Sequence, residues 1–369
     1  MITLTVDKLE PNMKVAEPIV TKRGQTIVKA GETLTAQLIA KLSFYKIDSA
    51  TVEGEEDEPE PEPIPEPSSN DSFISDQITY SQRLKASPKF QKFQSDYALN
   101  ISYLKENFEA IIAGGGSECS DLMLENCEML FKSKTTIELL DMLRNMRNLE
   151  DPLYSHSLNV ALIARSIGKW LQLPKEELDV LTLSGLLHDI GKTQIPESIL
   201  NKPGKYTDEE FELMKSHPLA GKRILSDKGF DVRIPFAALQ HHERSDGSGY
   251  PRGLEEDEIE DFASIIAIAD VYDAMTSARA HRDPLCSFQV ISEFERNLQK
   301  YNTKYILIFL ERIANTYSNS RIMLSNAKTG RVVYLNKSNL SRPMVALDSG
   351  EIIDLTAPAN SEVYIKSIL

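Results

Sequence analysis

Leu187-His188-Asp189-Ile190-Gly191-Lys192 is the stretch on which the reading of this chain turns. A histidine and an aspartate stand side by side at the end of an apolar helical run, and by themselves they are ambiguous. Working outward, the pair has company. His217 and Pro218 follow, then His241-His242, then Asp270 inside the apolar run Ile265 to Ser277, while His156 lies upstream. These positions use five of the six histidines, and the sixth, His281, lies just past the last carboxylate. Neutral imidazole combined with carboxylate suits Fe, Mn, Zn and similar ions. Each residue alone has a structural explanation; His217 before a proline, for instance, reads as a helix-end residue. Together they predict a metal site built from His156, His188, Asp189, His217, His241, His242 and Asp270.

The framework around these residues has helical periodicity. Asp141 to Arg144 ends one helix, and Leu158, Ala161, Leu162, Arg165 and Lys169 lie on turns of the next, which carries His156 at its start. Pro174 opens a helix predicted over Lys175 to Asp189, with Gly191 as its stop. Thr207-Asp208-Glu209-Glu210 is a capping box for a helix expected to end near His217-Pro218. The ligands therefore come from separate helices that must converge, as in metal centres built inside helical bundles. The fold class expected is mainly α: a helical metal-binding core with a small β-rich N-terminal module and a small β C-terminal appendage.

The chain has 369 residues, 41% of them apolar and 26% charged, the composition of an ordinary globular protein long enough for more than one core. Its net charge of −14 argues against a nucleic-acid polymer as partner, which would need clustered Lys and Arg. Eight of the carboxylates lie at Glu53, Glu55, Glu56, Asp57, Glu58, Glu60, Glu62 and Glu66, interleaved with Pro59, Pro61, Pro63, Pro65 and Pro67. Such a stretch reads as an extended acidic spacer. It separates a β-rich module, residues 1–53, from the rest, so the expected division is 1–53, linker 54–72, helical domain 73–318 and β extension 319–369. In the first module, strands are expected at Thr3–Val6, Glu17–Val20, Gln25–Val28 and Ala50–Val52, with a helix over Thr35–Leu42. It has no His, Cys or phosphate loop and reads as a regulatory or interaction module, a place for a homodimer contact or a regulatory partner. In the last segment, strands are expected at Arg321–Leu324, Val332–Leu335 and Ile352–Leu355, with turns at Lys328–Gly330 and Asp348–Gly350. Cys119, Cys127 and Cys286, with no CxxC, read as reduced thiols. With no secretory pattern and no membrane-length apolar run in the sequence, a cytoplasmic, non-membrane protein is expected.

The residue chemistry points to a two-metal hydrolase. A single carboxylate, Asp189, would bridge two ions, with His188, His156 and Asp270 on one and His217, His241 and His242 on the other. Two ions about 3.5–4 Å apart hold and acidify a water between them and clamp the attacking and leaving oxygens of an in-line displacement at phosphorus. Lys192, three residues after Asp189, and Arg279 and Arg282 beyond Asp270 are the nearby cations for a phosphodiester. A solvated surface charge is the alternative reading for each of them.

Taken together, His188-Asp189-Ile190-Gly191-Lys192, His217-Pro218, His241-His242-Glu243-Arg244-Ser245-Asp246-Gly247-Ser248-Gly249-Tyr250-Pro251 and Ile268-Ala269-Asp270-Val271-Tyr272-Asp273-Ala274-Met275-Thr276-Ser277 resemble the HD-GYP family, a bacterial branch of the HD-domain phosphohydrolases. The resemblance covers about residues 150–285, and more loosely 80–318. It implies a metal-dependent phosphodiesterase that opens cyclic di-GMP to linear pGpG and, in some members, onward to GMP. It also implies two or three metals, often iron or manganese, with Asp189 and Lys192 in the catalytic machinery and Lys192, Tyr250, Arg279 and Arg282 holding substrate. Members with a third metal resemble one another in a glutamate one turn before the first histidine. Here that position is Pro152, so two ions and mainly pGpG are expected. A second departure is His281, which replaces an aromatic and reads as an exposed loop residue. Two other functions fit the same residues: hydrolysis of a related cyclic dinucleotide, and a catalytically weak sensor or docking module for cyclic di-GMP.

Overall fold

The computed structural model describes residues 2–5, 13–20, 26–34, 38, 42, 47, 49–52, 84–132, 134–146, 151–277 and 284–369. The chain divides into two compact units, Met1–Gln77 and Ile78–Leu369. In the first unit, strand β1 (Ile2–Thr5) pairs antiparallel with β4 (Ser49–Val52), and β2 (Ile19–Val20) pairs with β3 (Thr26–Val28). Val15, Ile19, Val28, Leu34, Leu42, Ala50 and Val52 form its core. The expected linker lies outside the described residues, as does most of the expected helix over Thr35–Leu42.

The second unit is a helical bundle. Helix α1 (Pro88–Ile112) starts with Pro88 in its first turn and with the Ser87 hydroxyl accepting from the Phe90 amide. It buries Phe90, Phe93, Tyr97, Ile101, Leu104, Phe108 and Ile111 at the three- and four-residue spacing of a single helical stripe. There follow α2 (Ser120–Phe131), α3 (Thr136–Asn145), α4 (Pro152–Trp170) and α5 (Lys175–Leu187). A Cβ on Gly185 would stand 2.5 Å from the Ala161 Cα, so a glycine is what lets α5 lie directly against α4. After α5 come a short 3₁₀ turn (Ile190–Gln194), α6 (Glu197–Leu200), α7 (Asp208–Met214), α8 (His217–Leu225), α9 (Arg233–Gln240) and α10 (Asp261–Thr276). Helix α10 is buried along most of its length, as its apolar sequence predicts. Helices α11 (Ser287–Arg296) and α12 (Thr303–Thr316) complete the bundle. No helix of the described residues is long and apolar enough to cross a membrane.

The C-terminal segment is a five-stranded antiparallel sheet, ordered β8-β7-β6-β5-β9, from β5 (Arg321–Leu324), β6 (Thr329–Tyr334), β7 (Met344–Leu347), β8 (Ile352–Asp354) and β9 (Ile365–Ile368). Ile322, Leu324, Val332, Val345, Leu347 and Ile365 belong to the same buried cluster as the helices. The sheet is therefore packed on the bundle and shares its core.

Three sequence expectations shift. Helix α5 ends at Leu187, leaving His188 and Asp189 on a turn rather than within the helix. The capping-box helix ends at Met214, and His217 opens a new helix with Pro218 in its first turn, where a missing amide costs nothing. Thr329 and Gly330 belong to β6 rather than to a turn, because their backbones pair with Met323 and Ile322.

Candidate metal centre

The seven predicted ligands converge from five elements. His156 lies in the second turn of α4, and His188 and Asp189 follow α5. His217 opens α8, His241 and His242 follow α9, and Asp270 lies within α10. Close backbone approach sets part of this geometry. A Cβ on Gly191 would stand 2.0 Å from the His217 carbonyl oxygen and 2.5 Å from the Gly221 amide nitrogen, so the glycine lets α8 bring His217 up to Asp189.

Asp189 is fully buried at the centre. Its Oδ2 faces His156 Nε2 at 3.7 Å and His188 Nε2 at 3.4 Å, while its Oδ1 faces His217 Nε2 at 3.3 Å and His241 Nε2 at 3.6 Å. Asp270 approaches His156 Nε2 at 3.0 Å through Oδ1 and His242 Nδ1 at 3.9 Å through Oδ2. Two of the ligand clusters formed are His156, His188 and Asp270 on one side and His217, His241 and His242 on the other, each ligand atom within 4.8 Å of the others in its cluster. A third cluster, His188, Asp189 and His241, joins the two sides.

The histidines are oriented by their outer nitrogens. His188 Nδ1 is 2.7 Å from the Gly185 carbonyl, His217 Nδ1 2.7 Å from the Met214 carbonyl, and His241 Nδ1 3.0 Å from the Ala238 carbonyl. A carbonyl only accepts, so each Nδ1 carries the proton and each Nε2 turns a bare lone pair inward. His217 Nε2 and His241 Nε2 then stand 3.3 Å apart, two lone pairs in mutual contact. His188 Nε2 and Asp189 Oδ1 are buried with no hydrogen-bond partner. Buried acceptors facing one another without donors are costly, and cations between them remove the cost. The donor set, five imidazoles and two carboxylates, fits Fe, Mn or Zn.

In the metal-free chain, buried neighbours set which of these groups carry charge. Burial opposes the negative charge on Asp189, yet the Lys192 ammonium beside it outweighs burial and holds the carboxyl well below its ordinary range. Burial likewise opposes charge on Asp270, and the hydrogen bond from His156 overrides it. Burial draws His241 down to about 4, and burial together with the neighbouring His241 lowers His242 well below the usual imidazole range. Both rings are therefore neutral at physiological pH, the form in which an imidazole can ligate a metal. His156 goes the other way: burial disfavours its proton, but Asp270 and Asp273 prevail and raise it to about 10.

Of the predicted substrate residues, Lys192 places Nζ 2.5 Å from Asp189 Oδ2. The Tyr250 ring stacks on His242, centroids 4.7 Å apart at 26°. Arg279, His281 and Arg282 lie outside the described residues. Two residues that the sequence reading did not single out join the site. Asp273 Oδ2 accepts from His156 Nδ1 at 2.7 Å. Glu243, buried beside the ligand histidines, accepts from the Arg252 and Leu254 amides at 2.8 and 3.0 Å and so ties down the loop that carries Tyr250. Their signals were present in the sequence as a second aspartate one turn after Asp270 and a carboxylate directly after His241-His242.

Residues 126–304 match the family model described as the HD domain. The match covers just under half of the chain, and the strings through Tyr250-Pro251 agree with the resemblance to the HD-GYP branch. It is 33% identical over 208 residues to a cyclic di-GMP phosphodiesterase of Pseudomonas aeruginosa, covering 56% of this chain and 50% of that protein. It is 40% identical over 139 residues to a 3'3'-cGAMP-specific phosphodiesterase of Vibrio cholerae, covering 38% of this chain and 32% of that protein. The chain thus spans half or less of the length of these relatives. A solved HDG"Y"P protein from Bdellovibrio bacteriovorus shares the fold, with a TM-score of 0.51 and 17% identity over 85% of this chain and 99% of that one.

Proposed function

We propose that this protein is a cytoplasmic, metal-dependent phosphodiesterase that hydrolyses cyclic di-GMP, mainly to linear pGpG. The observation that carries the reading is Asp189, whose two oxygens face two separate histidine sets in a buried centre with unpartnered acceptors. His156, His188 and Asp270 with Asp189 Oδ2 would hold one divalent ion, and His217, His241 and His242 with Asp189 Oδ1 a second, Fe or Mn. Bound there, such ions supply Lewis acidity toward phosphoryl oxygens and lower the pKa of a water.

The chain's own residues do the rest. Asp273 and the backbone carbonyls of Gly185, Met214 and Ala238 would hold the imidazoles in the required tautomers. Lys192 supplies a positive charge at the mouth of the centre and would pass from Asp189 to a substrate phosphoryl oxygen. Tyr250, stacked on His242, offers a phenol and a ring edge beside the ligand set, and Arg279 and Arg282 are proposed as further phosphate contacts. Residues 1–53 are proposed as a regulatory module, for a partner protein or a second copy.

Turnover of the purified chain on cyclic di-GMP with Mn(II) or Fe(II), products separated by chromatography, tests the assignment. Failure to cleave it with the centre fully loaded would overturn it. The similarity to a cGAMP-specific relative favours one second reading, hydrolysis of that hybrid dinucleotide. Competition between the two substrates decides it.

A further inference from the structure

Helix α1 lies N-terminal to the matched HD domain, yet one of its side chains reaches the metal centre through hydrogen bonds. The Tyr97 ring is fully buried, and its hydroxyl donates to Asn159 Oδ1 on α4 at 2.6 Å, with the Ser155 carbonyl 3.1 Å away as a second acceptor. Asn159 Nδ2 donates to Asp273 Oδ1 on α10 at 2.8 Å. Ser277 Oγ donates to that same oxygen at 2.9 Å, and the other oxygen of Asp273 takes the His156 Nδ1 proton at 2.7 Å. The directions are self-consistent. A carboxylate only accepts, so Asn159 must turn its amino group toward Asp273 and its carbonyl toward Tyr97, which leaves the phenol as donor. Burial raises the Tyr97 pKa well above its ordinary value, so the phenol keeps the proton the chain of bonds requires.

We propose that Tyr97 and Asn159 are positioning residues for the metal centre. They pin the Asp273 carboxylate so that it holds the His156 ring in one tautomer and one orientation, with Nε2 aimed at the ion. Outer partners of ligating histidines of this kind typically change metal affinity or activity about 10–100-fold when removed, and Tyr97 stands two bonds further out. The inference rests on the reading of His156 as a metal ligand. It adds that a helix outside the matched domain sets the quality of that ligand.

The test compares the full chain with Tyr97→Phe, which removes one oxygen and keeps the ring, and with Asn159→Ala. Three quantities are read: Mn(II) affinity by chelator competition, melting of the metal-free protein, and the visible spectrum of the Co(II)-loaded protein. The expected result is Mn(II) affinity weaker by about 3–10-fold for Tyr97→Phe and more for Asn159→Ala, with an altered Co(II) spectrum in both. Melting temperatures that fall while Mn(II) affinity and the Co(II) spectrum stay as in the unaltered chain would reduce Tyr97 to a packing residue and overturn the relay. If Asn159→Ala fails to fold, Tyr97→Phe decides alone. If the unaltered chain itself takes up neither Mn(II) nor Co(II), the metal reading falls and the relay with it.

Discussion

Lys192 Nζ stands 2.5 Å from Oδ2 of Asp189, the carboxylate oxygen that also faces His156 and His188. One oxygen thus has a lysine and a candidate cation position as rival partners. In the metal-free chain the lysine is the closest cation to a fully buried carboxylate, and removing one partner of such a pair typically costs about 3–5 kcal/mol. Lys192→Met is therefore expected to lower the melting temperature of metal-free protein clearly and that of Mn(II)-saturated protein much less, while abolishing turnover. Equal losses with and without Mn(II) would show that the lysine does not exchange with the ions.

Asp189→Asn removes the charge shared by the two ligand sets while keeping the shape. It should lose more than one equivalent of metal per chain, read by elemental analysis, along with cyclic di-GMP turnover. A variant with normal metal content and turnover would rule out the shared-ligand assignment.

Gly191→Ala tests whether close packing delivers His217. The added methyl would meet the His217 carbonyl at 2.0 Å and the Gly221 amide at 2.5 Å, both backbone atoms that cannot swing aside. Overpacking of this kind costs typically about 1–3 kcal/mol, and here it would push the start of α8 away from Asp189. Reduced thermal stability together with reduced metal content is expected. A variant that matches the parent in both would show that the approach of α8 is not what seats His217.

The candidate ligands could be named from the sequence because residue type carries their chemistry: histidine and aspartate strings on separate helical runs imply convergence without stating its geometry. What could not be read depends on packing. Asn159 and Asp273 are 114 residues apart, and Tyr97 lies 62 before Asn159, so no local pattern joins them. The stop of α5 before His188, the start of α8 at His217 and the close approach of Gly191 to the His217 backbone are not revealed by spacing alone. Strands β7 and β9 escaped notice for a related reason. Each is four residues long, and each is defined by pairing, with β6 and β8 for the first and β5 for the second.

Glu260 gives a pH dependence separate from the metal ligands. Its carboxylate caps α10 by accepting from the Ala263 amide at 3.0 Å, and its own amide donates to Gln240 Oε1 at 2.8 Å. Burial, reinforced by Asp261 and opposed by the Ala263 and Phe262 amides and by Arg233, raises the carboxyl from its ordinary 4.5 to about 7. A raised folded pKa means that the native state binds the proton more tightly than the unfolded chain. The associated stability is present below the unfolded value and is lost as pH rises through about 7. Glu260→Gln keeps an acceptor for the cap and removes the titration. The parent should lose more melting temperature than the variant between about pH 5 and pH 8. Parallel pH profiles would contradict the assignment.

Pro152 bears on the product. It is the first residue of α4, one turn before His156, where the family resemblance associates a glutamate with a third metal. Asp151 does not substitute for that glutamate: it adopts a left-handed backbone conformation with φ 62°, and its carboxylate lies 3.6 Å from Lys105 Nζ on the surface. The first cleavage needs one clamped phosphodiester and one activated water, which two ions supply. The second must rebind a flexible linear dinucleotide bearing a terminal phosphate, and a third cation would anchor that added charge. The unaltered chain is therefore expected to hold two metals and to accumulate pGpG. Pro152→Glu should raise both metal content and the GMP fraction, at some cost in stability because proline suits the first helical turn. The measurement is the product ratio at full metal loading beside elemental analysis. Three equivalents in the unaltered chain, or GMP appearing as fast as cyclic di-GMP disappears, would overturn the two-metal reading and leave the phosphodiesterase proposal standing.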